Sequence, residues 1–156
     1  MIEYLKKHPD KVIEPLIQHI ELVLITLVIS VVIASVLTVI AMRSERVSRV
    51  MNNVLGVLYS VPSLALFALL IPVTGLGRTS AIIVLTLYNQ YLLLRNFTTG
   101  LREADPVACE AAKGIGMTDM QILYKIRLPL ARKAIFAGIR LAVVSTIGIG
   151  TIAAAI

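Results

Sequence analysis

From Leu22 to Ala41 the chain runs for twenty residues without a charged side chain. A soluble helix of that length would turn a charged face to water, and this segment has none to turn. About 20 apolar residues at 1.5 Å each cross the hydrocarbon layer of a bilayer. A lipid-exposed segment must also close its backbone hydrogen bonds within itself, which selects helix. Val50–Pro72 and Thr79–Leu94 are equally free of charge, and a further apolar run from about residue 134 carries only Arg140. The prediction is an all-α, polytopic transmembrane helical bundle forming one domain over 1–156. It has an external lead-in at 1–19, spans at about 20–42, 50–72, 79–97 and 134–156, and a polar loop at 98–133.

Local signals refine this plan. Pro9 and Pro15 are expected to break the lead-in, whose Ile13, Leu16, Ile17 and Ile20 form a helical stripe. Pro62 removes a backbone donor inside the second span and predicts a kink. Pro72, Gly75 and Gly77 predict a tight turn. The run from Leu22 is longer than a signal-peptide core. Arg43, Arg46 and Arg49 follow it in place of a small-residue cleavage site, so it reads as a retained span. The chain reaches Ile156 in mid-run, without a turn residue or basic flank, and the expectation is a C-terminal truncation.

The distribution of charge sets the expected orientation. Only 15% of residues are charged, against 58% hydrophobic, and the net charge is +6. The basic residues fill the gaps between apolar runs, a pattern of membrane topology rather than of a nucleic-acid-binding face. Arg43, Arg46 and Arg49 in one gap, and seven Lys or Arg residues over 95–133, mark one side as cytoplasmic. The N-terminus is then outside. Cys109 is the only cysteine and the two histidines, His8 and His19, are isolated, so neither a disulfide nor a metal site is expected.

The loop carries the functional signal. Asp105–Pro106 is a helix start, with an N-cap acceptor and proline in the first turn. The alanine-rich stretch that follows favours helix and ends at Gly114 and Gly116. Thr118 and Gln121 form a capping box for a second short helix, with Ile122, Leu123 and Ile126 on its apolar face. Pro129 is expected to break the chain before the last span. Local physics alone leaves this pair of helices an ordinary loop or a docking unit.

The residues themselves resemble a known signature. Glu110-Ala111-Ala112, three residues, Gly116, nine residues, Ile126, one residue and Leu128-Pro129 match the EAA loop of binding-protein-dependent ABC importer permeases at every fixed position. The resemblance implies that the loop holds a coupling helix docked on an ATP-binding subunit. It implies two such subunits, a second permease copy and an extracytoplasmic substrate-binding protein in a bacterial cell membrane. Val61-Pro62-Ser63-Leu64-Ala65-Leu66, Gly75-Leu76-Gly77, Leu94-Arg95-Asn96 and Gly100-Leu101 are similar to the subgroup importing glycine betaine, carnitine and choline. That similarity covers about residues 20–156. The family usually continues with a glycine-rich loop and at least one more span.

No phosphate-binding loop, catalytic triad or paired carboxylate site occurs, so this chain is expected to be non-catalytic. ATP and Mg belong to the partner ATPase, and no cofactor is expected on this chain. A quaternary ammonium is held by aromatic rings. With no Trp and few aromatics, high-affinity recognition is expected of the separate binding protein. Asn89 and Gln90 sit mid-span, where amides either bond another helix or face a pore. Ser145 and Thr146, with Gly148, Gly150 and Thr151, form a small-residue stripe that either packs a helix or lines the path. The alternatives are a permease of the same family for an amino acid or an anion, an ATPase-independent secondary transporter, and, more remotely, a membrane-embedded enzyme.

Overall fold

A computed structural model describes residues 10–153, all helices and short turns. Helix α1 (Asp10–Ala41) spans 32 residues. It absorbs the lead-in from Asp10 onward; Pro9 lies outside the described residues. Pro15 does not break it, contrary to expectation. At one turn from the start, proline costs a single backbone bond and has few upstream carbonyls to clash with. Every fourth residue of α1 is small and buried: Thr26, Ser30, Ala34 and Thr38 are at most 4% exposed. Leu24, Val28, Val32 and Val36 point outward instead, at 57–65% exposed. The apolar surface is outside and the small residues inside, the arrangement suited to a helix in lipid, where packing rather than hydrophobicity joins helices.

Helices α2 (Glu45–Ser60) and α3 (Ser63–Thr74) replace the single kinked span expected at 50–72. They meet at 92°. Pro62 drives the preceding Val61 into extended conformation, with φ −68° and ψ 131°, and cannot continue the ladder. The break is therefore complete. The Tyr88 hydroxyl donates to the freed Val61 carbonyl. Gly75 and Gly77 then turn the chain with φ of 79° and 118°; Pro72, expected in the same turn, instead lies inside the last turn of α3, where it costs a single backbone bond.

Helix α4 (Arg78–Arg102) is the centre of the bundle, with α1, α2, α3 and α7 (Leu128–Ala153) packed around it. Its crossing with α7 is the closest: a Cβ on Gly100 would lie 2.5 Å from the Ala134 Cβ, and one on Gly138 2.8 Å from the Asn96 Cβ. Beyond α4 come two short helices, α5 (Pro106–Gly114) and α6 (Asp119–Ile122), then a π-helical turn at Leu123–Arg127 that runs directly into α7. Asp119–Ala153 is thus one continuous 35-residue helix, and Pro129 does not interrupt it. The π turn explains this. The Leu128 N–H reaches back to the Leu123 carbonyl, and the widened turn relieves the clash that a proline ring makes with a regular helix.

Among the described residues, two helices are long and apolar enough to cross a membrane, or three if the bent pair counts as one. Within the described residues the four expected apolar runs lie in helices, the second divided at Val61–Pro62, but α4 does not meet that test by composition. It carries Thr86, Asn89, Gln90 and Thr98, all buried against its neighbours.

The ends of the bundle differ. At one end Arg78 pairs with Glu21 across 3.0 Å. At the other, Arg102 donates to the carbonyls of Ala41 and Ser44, each 3.3 Å away, and stands 3.7 Å from Glu45. The Ala41 carbonyl is one that the end of α1 leaves open, and the Ser44 carbonyl, which also accepts the Ser48 N–H, begins α2. The arginine-rich turn after α1 and the loop after α4 share this end, as the charge pattern predicts.

Candidate functional site

The loop at the Arg102 end is built as its caps dictate. The Asp105 carboxylate accepts from the Val107 N–H at 2.9 Å, with Pro106 at the first helical position. Thr118 and Gln121 form the predicted reciprocal capping box: the Thr118 N–H donates to Gln121 Oε1 at 2.8 Å, and the Gln121 N–H to Thr118 Oγ1 at 3.3 Å. Between the two helices Gly116 has φ of +87°, the left-handed region that a side chain strains. No atom lies within 4 Å of its would-be Cβ. The glycine is there for the backbone and not for space.

This unit has a small core of its own, in Ala104, Cys109, Ala112 and Ile122, with Met117 and Ile126 packed against it. The signature residues therefore divide. Ala112 and Ile126 face inward and hold the unit together. Glu110, Ala111 and Gly116 are exposed on the outside, as are Leu128 and Pro129 where α7 begins. Val107 and Ile115 flank the exposed face at 71% and 82% exposed. Lys113 and Asp119 pair at 3.3 Å across the glycine turn; both are largely exposed, so the pair adds little stability. Glu110 also borders a cleft of about 700 Å³ between this unit and the end of α1 at Val39, Met42 and Arg43.

The second set of candidates meets in the middle of the bundle. The Asn89 amide donates to Thr146 Oγ1 at 2.9 Å and to Ser30 Oγ at 3.2 Å. The Thr146 hydroxyl lies 3.2 Å from Asn89 Oδ1. Gln90 donates to the carbonyls of Thr86, at 3.1 Å, and Ser30, at 3.3 Å. Asn89, Gln90, Ser30 and Thr146 are at most 4% exposed. They tie α4 to α1 and α7 by interhelical hydrogen bonds. Ser145, half-buried, stands outside this cluster. Within α7 the buried stripe is Gly138, Ala142, Thr146 and Gly150; Gly148 and Thr151 are exposed.

Sequence reasoning missed two groupings. Ser30 and Thr26 escaped notice although their four-residue spacing with Ala34 and Thr38 was visible. Tyr59, Tyr88 and Tyr91 form a cluster, with ring centroids 5.4 Å apart for Tyr59–Tyr88 and 5.0 Å for Tyr59–Tyr91. No sequence signal joins residue 59 to 88 and 91; the break at Pro62 brings them together. Among the described residues no group of His, Cys, Asp or Glu could hold a metal ion.

Comparison with known proteins agrees with this architecture. Residues 27–156 match the family model described as binding-protein-dependent transport system inner membrane component. The chain is 32% identical over 153 residues to the choline transport system permease protein OpuBB of Bacillus subtilis, covering 98% of this chain and 70% of that protein. It is 32% identical over 152 residues to the carnitine transport permease protein OpuCD of Listeria monocytogenes, covering 97% and 68%. Its fold matches the crystal structure of an amino acid ABC transporter, with a TM-score of 0.81 at 19% identity, over 99% of this chain and 76% of that one. The chain is a membrane protein and belongs to the family of binding-protein-dependent transport system inner membrane components.

Proposed function

We propose that this chain is the permease subunit of an ATP-driven importer for quaternary-ammonium osmoprotectants such as glycine betaine, carnitine or choline. The observation that carries the coupling role is the outward face of α5. Ala111 and Glu110 are exposed there between Val107 and Ile115, while Cys109 and Ala112 anchor the helix from behind. A short helix with small outward side chains, fixed on a packed base, suits insertion into a groove of an ATP-binding subunit. ATP and Mg act on that partner. Closure of the ATPase pair would bias the permease between two states, as a ligand shifts any bistable element. A second permease copy and an external binding protein complete the assembly, and membrane lipid surrounds it. The solute class rests on the choline and carnitine relatives, both above 30% identity.

The test is reconstitution of the complex with its ATPase and binding protein in proteoliposomes. ATP-dependent uptake of labelled glycine betaine, carnitine or choline is expected. Uptake that proceeds without an ATPase would overturn the class, and an active complex that takes up none of the three would overturn the solute.

Two further results follow from the loop. Gly116→Val places a β-branched residue at φ +87°, where an L side chain costs roughly 1–2 kcal/mol. The expected outcome is normal insertion with transport severely reduced; wild-type uptake would remove the turn from the mechanism. Multi-pass topology with the N-terminus outside is testable by thiol labelling. Cys109 is buried and a poor probe. An Ile115→Cys chain in a Cys109→Ala background offers a position that is 82% exposed. A membrane-impermeant reagent should label it in inverted vesicles and not in intact cells. The reverse pattern would invert the orientation.

A further inference from the structure

The polar face of α2 and the inner half of α4 enclose a cleft of about 470 Å³. Three arginines, Arg49, Arg95 and Arg102, line it against one carboxylate, Glu45, a net charge of +2. Arg102 is occupied with Glu45 and the end of α1. Arg49 and Arg95 form no ion pair among the described residues and are exposed. Arg95 is instead aimed at an aromatic ring: its Nη1 donates to the Tyr91 hydroxyl at 2.6 Å, and its guanidinium carbon lies 5.8 Å from the Tyr91 ring centroid. The ring lies against Gly56, where a Cβ would come within 3.2 Å of it. Asn52 adds a buried side-chain oxygen without a protein partner.

The cleft continues a column that begins at the helix break. Tyr59 and Tyr88 meet just beside Val61, Tyr59 lies tilted against Tyr91, and Arg95 follows one turn along α4. A guanidinium group is matched in geometry to a carboxylate, and neither Arg49 nor Arg95 has one among the described residues. A tyrosine face is matched to a quaternary ammonium. A ligand with both groups meets both demands, because drawing Arg95 onto a carboxylate releases the Tyr91 face for the ammonium. A ligand with the ammonium alone meets a net charge of +2 with nothing to offset it.

We propose that this cleft is a weak substrate subsite of the permease itself, with Arg95 and Arg49 holding a carboxylate and the Tyr91 ring facing a trimethylammonium group. It favours carboxylate-bearing zwitterions, the glycine betaine and carnitine class, over choline. The inference rests on the osmoprotectant reading above and adds a selectivity step after delivery by the binding protein.

The test compares uptake of labelled glycine betaine and choline by the whole complex in proteoliposomes. In Arg95→Gln the ratio of glycine betaine to choline uptake is expected to fall about tenfold, the size of one charge-assisted hydrogen bond. Arg95→Lys should recover part of it. Arg49→Gln should lower the ratio by a smaller factor, and Tyr91→Phe, which keeps the ring and frees Arg95 from its hydroxyl partner, should hold or raise it. These two variants carry the test if Arg95→Gln does not assemble. A proportional loss for both solutes, or an unchanged ratio, would make Arg95 a structural residue and overturn the subsite. A wild-type complex that prefers choline would also overturn it while leaving the osmoprotectant reading intact. A complex that transports neither solute would overturn that reading and the subsite together.

Discussion

Gly100→Val is expected to prevent the close crossing of α4 and α7 and to give a chain that inserts but does not pack. The added Cβ would lie 2.5 Å from the Ala134 Cβ and 3.3 Å from both the Cβ and the carbonyl oxygen of Ala131. All three atoms are backbone or rigidly attached to it, so no rotamer change relieves the overlap. The helices must separate, and the cost of overpacking a tight core, typically about 1–3 kcal/mol, is a lower bound for so rigid a contact. Separation would also strain the Asn89–Thr146 bond along the same interface. The measurement is the thermal midpoint of the purified chain in detergent. Gly148→Ala is the control, since nothing lies within 4 Å of a Cβ there; alanine is favoured over glycine in a helix by about 1 kcal/mol, so its midpoint should hold or rise. Equal midpoints for Gly100→Val and wild type would show that the helices are not packed this closely.

Ala111→Arg is expected to reach the membrane at normal levels and lose the ATP-binding subunit on purification. Ala111 is exposed on α5, so a long charged side chain there disturbs nothing within this chain. It would fill the space a partner groove needs. Loss of a well-packed hot-spot contact costs about 2 kcal/mol or more, roughly thirtyfold in affinity. The adjacent Ala112→Arg should behave differently. Ala112 is 4% exposed among Ala104, Cys109 and Ile122, so that change is expected to unfold the unit of α5 and α6 itself. Retention of the ATPase at wild-type stoichiometry by Ala111→Arg, with uptake intact, would remove α5 from the coupling contact.

The loop was legible in the sequence because its instructions are local. Asp105–Pro106, Gly116 and Thr118 with Gln121 act over three or four residues, and each cap forms where its spacing predicts. The prolines were legible as perturbations but not in degree. Pro62 produces a full break, Pro15 only a lost bond, and Pro129 no break at all. The outcome depends on how many upstream carbonyls meet the ring and on whether a π turn makes room. The exposure of individual signature residues was also invisible: Ala111 and Ala112 are neighbours of identical chemistry, and one faces out while the other faces in.

By itself the sequence determined that the chain is helical and belongs in a membrane, because twenty uncharged residues satisfy their polar backbone in lipid only as helix. It determined that the arginine-rich turn and the polar loop share one end of the bundle, through the placement of arginine and lysine, and it determined the two short helices of that loop through their caps. Only the tertiary structure decided which helix is central. Of the three longest helices α4 is the least apolar, and its amides are tolerable only because Ser30 on α1 and Thr146 on α7 bond them. It likewise decided that Tyr59, Tyr88, Tyr91 and Arg95 share one column, since a 92° break sets residue 59 beside residues some thirty positions away. Contacts of that separation depend on how helices cross, and a crossing is fixed by small residues on both partners at once.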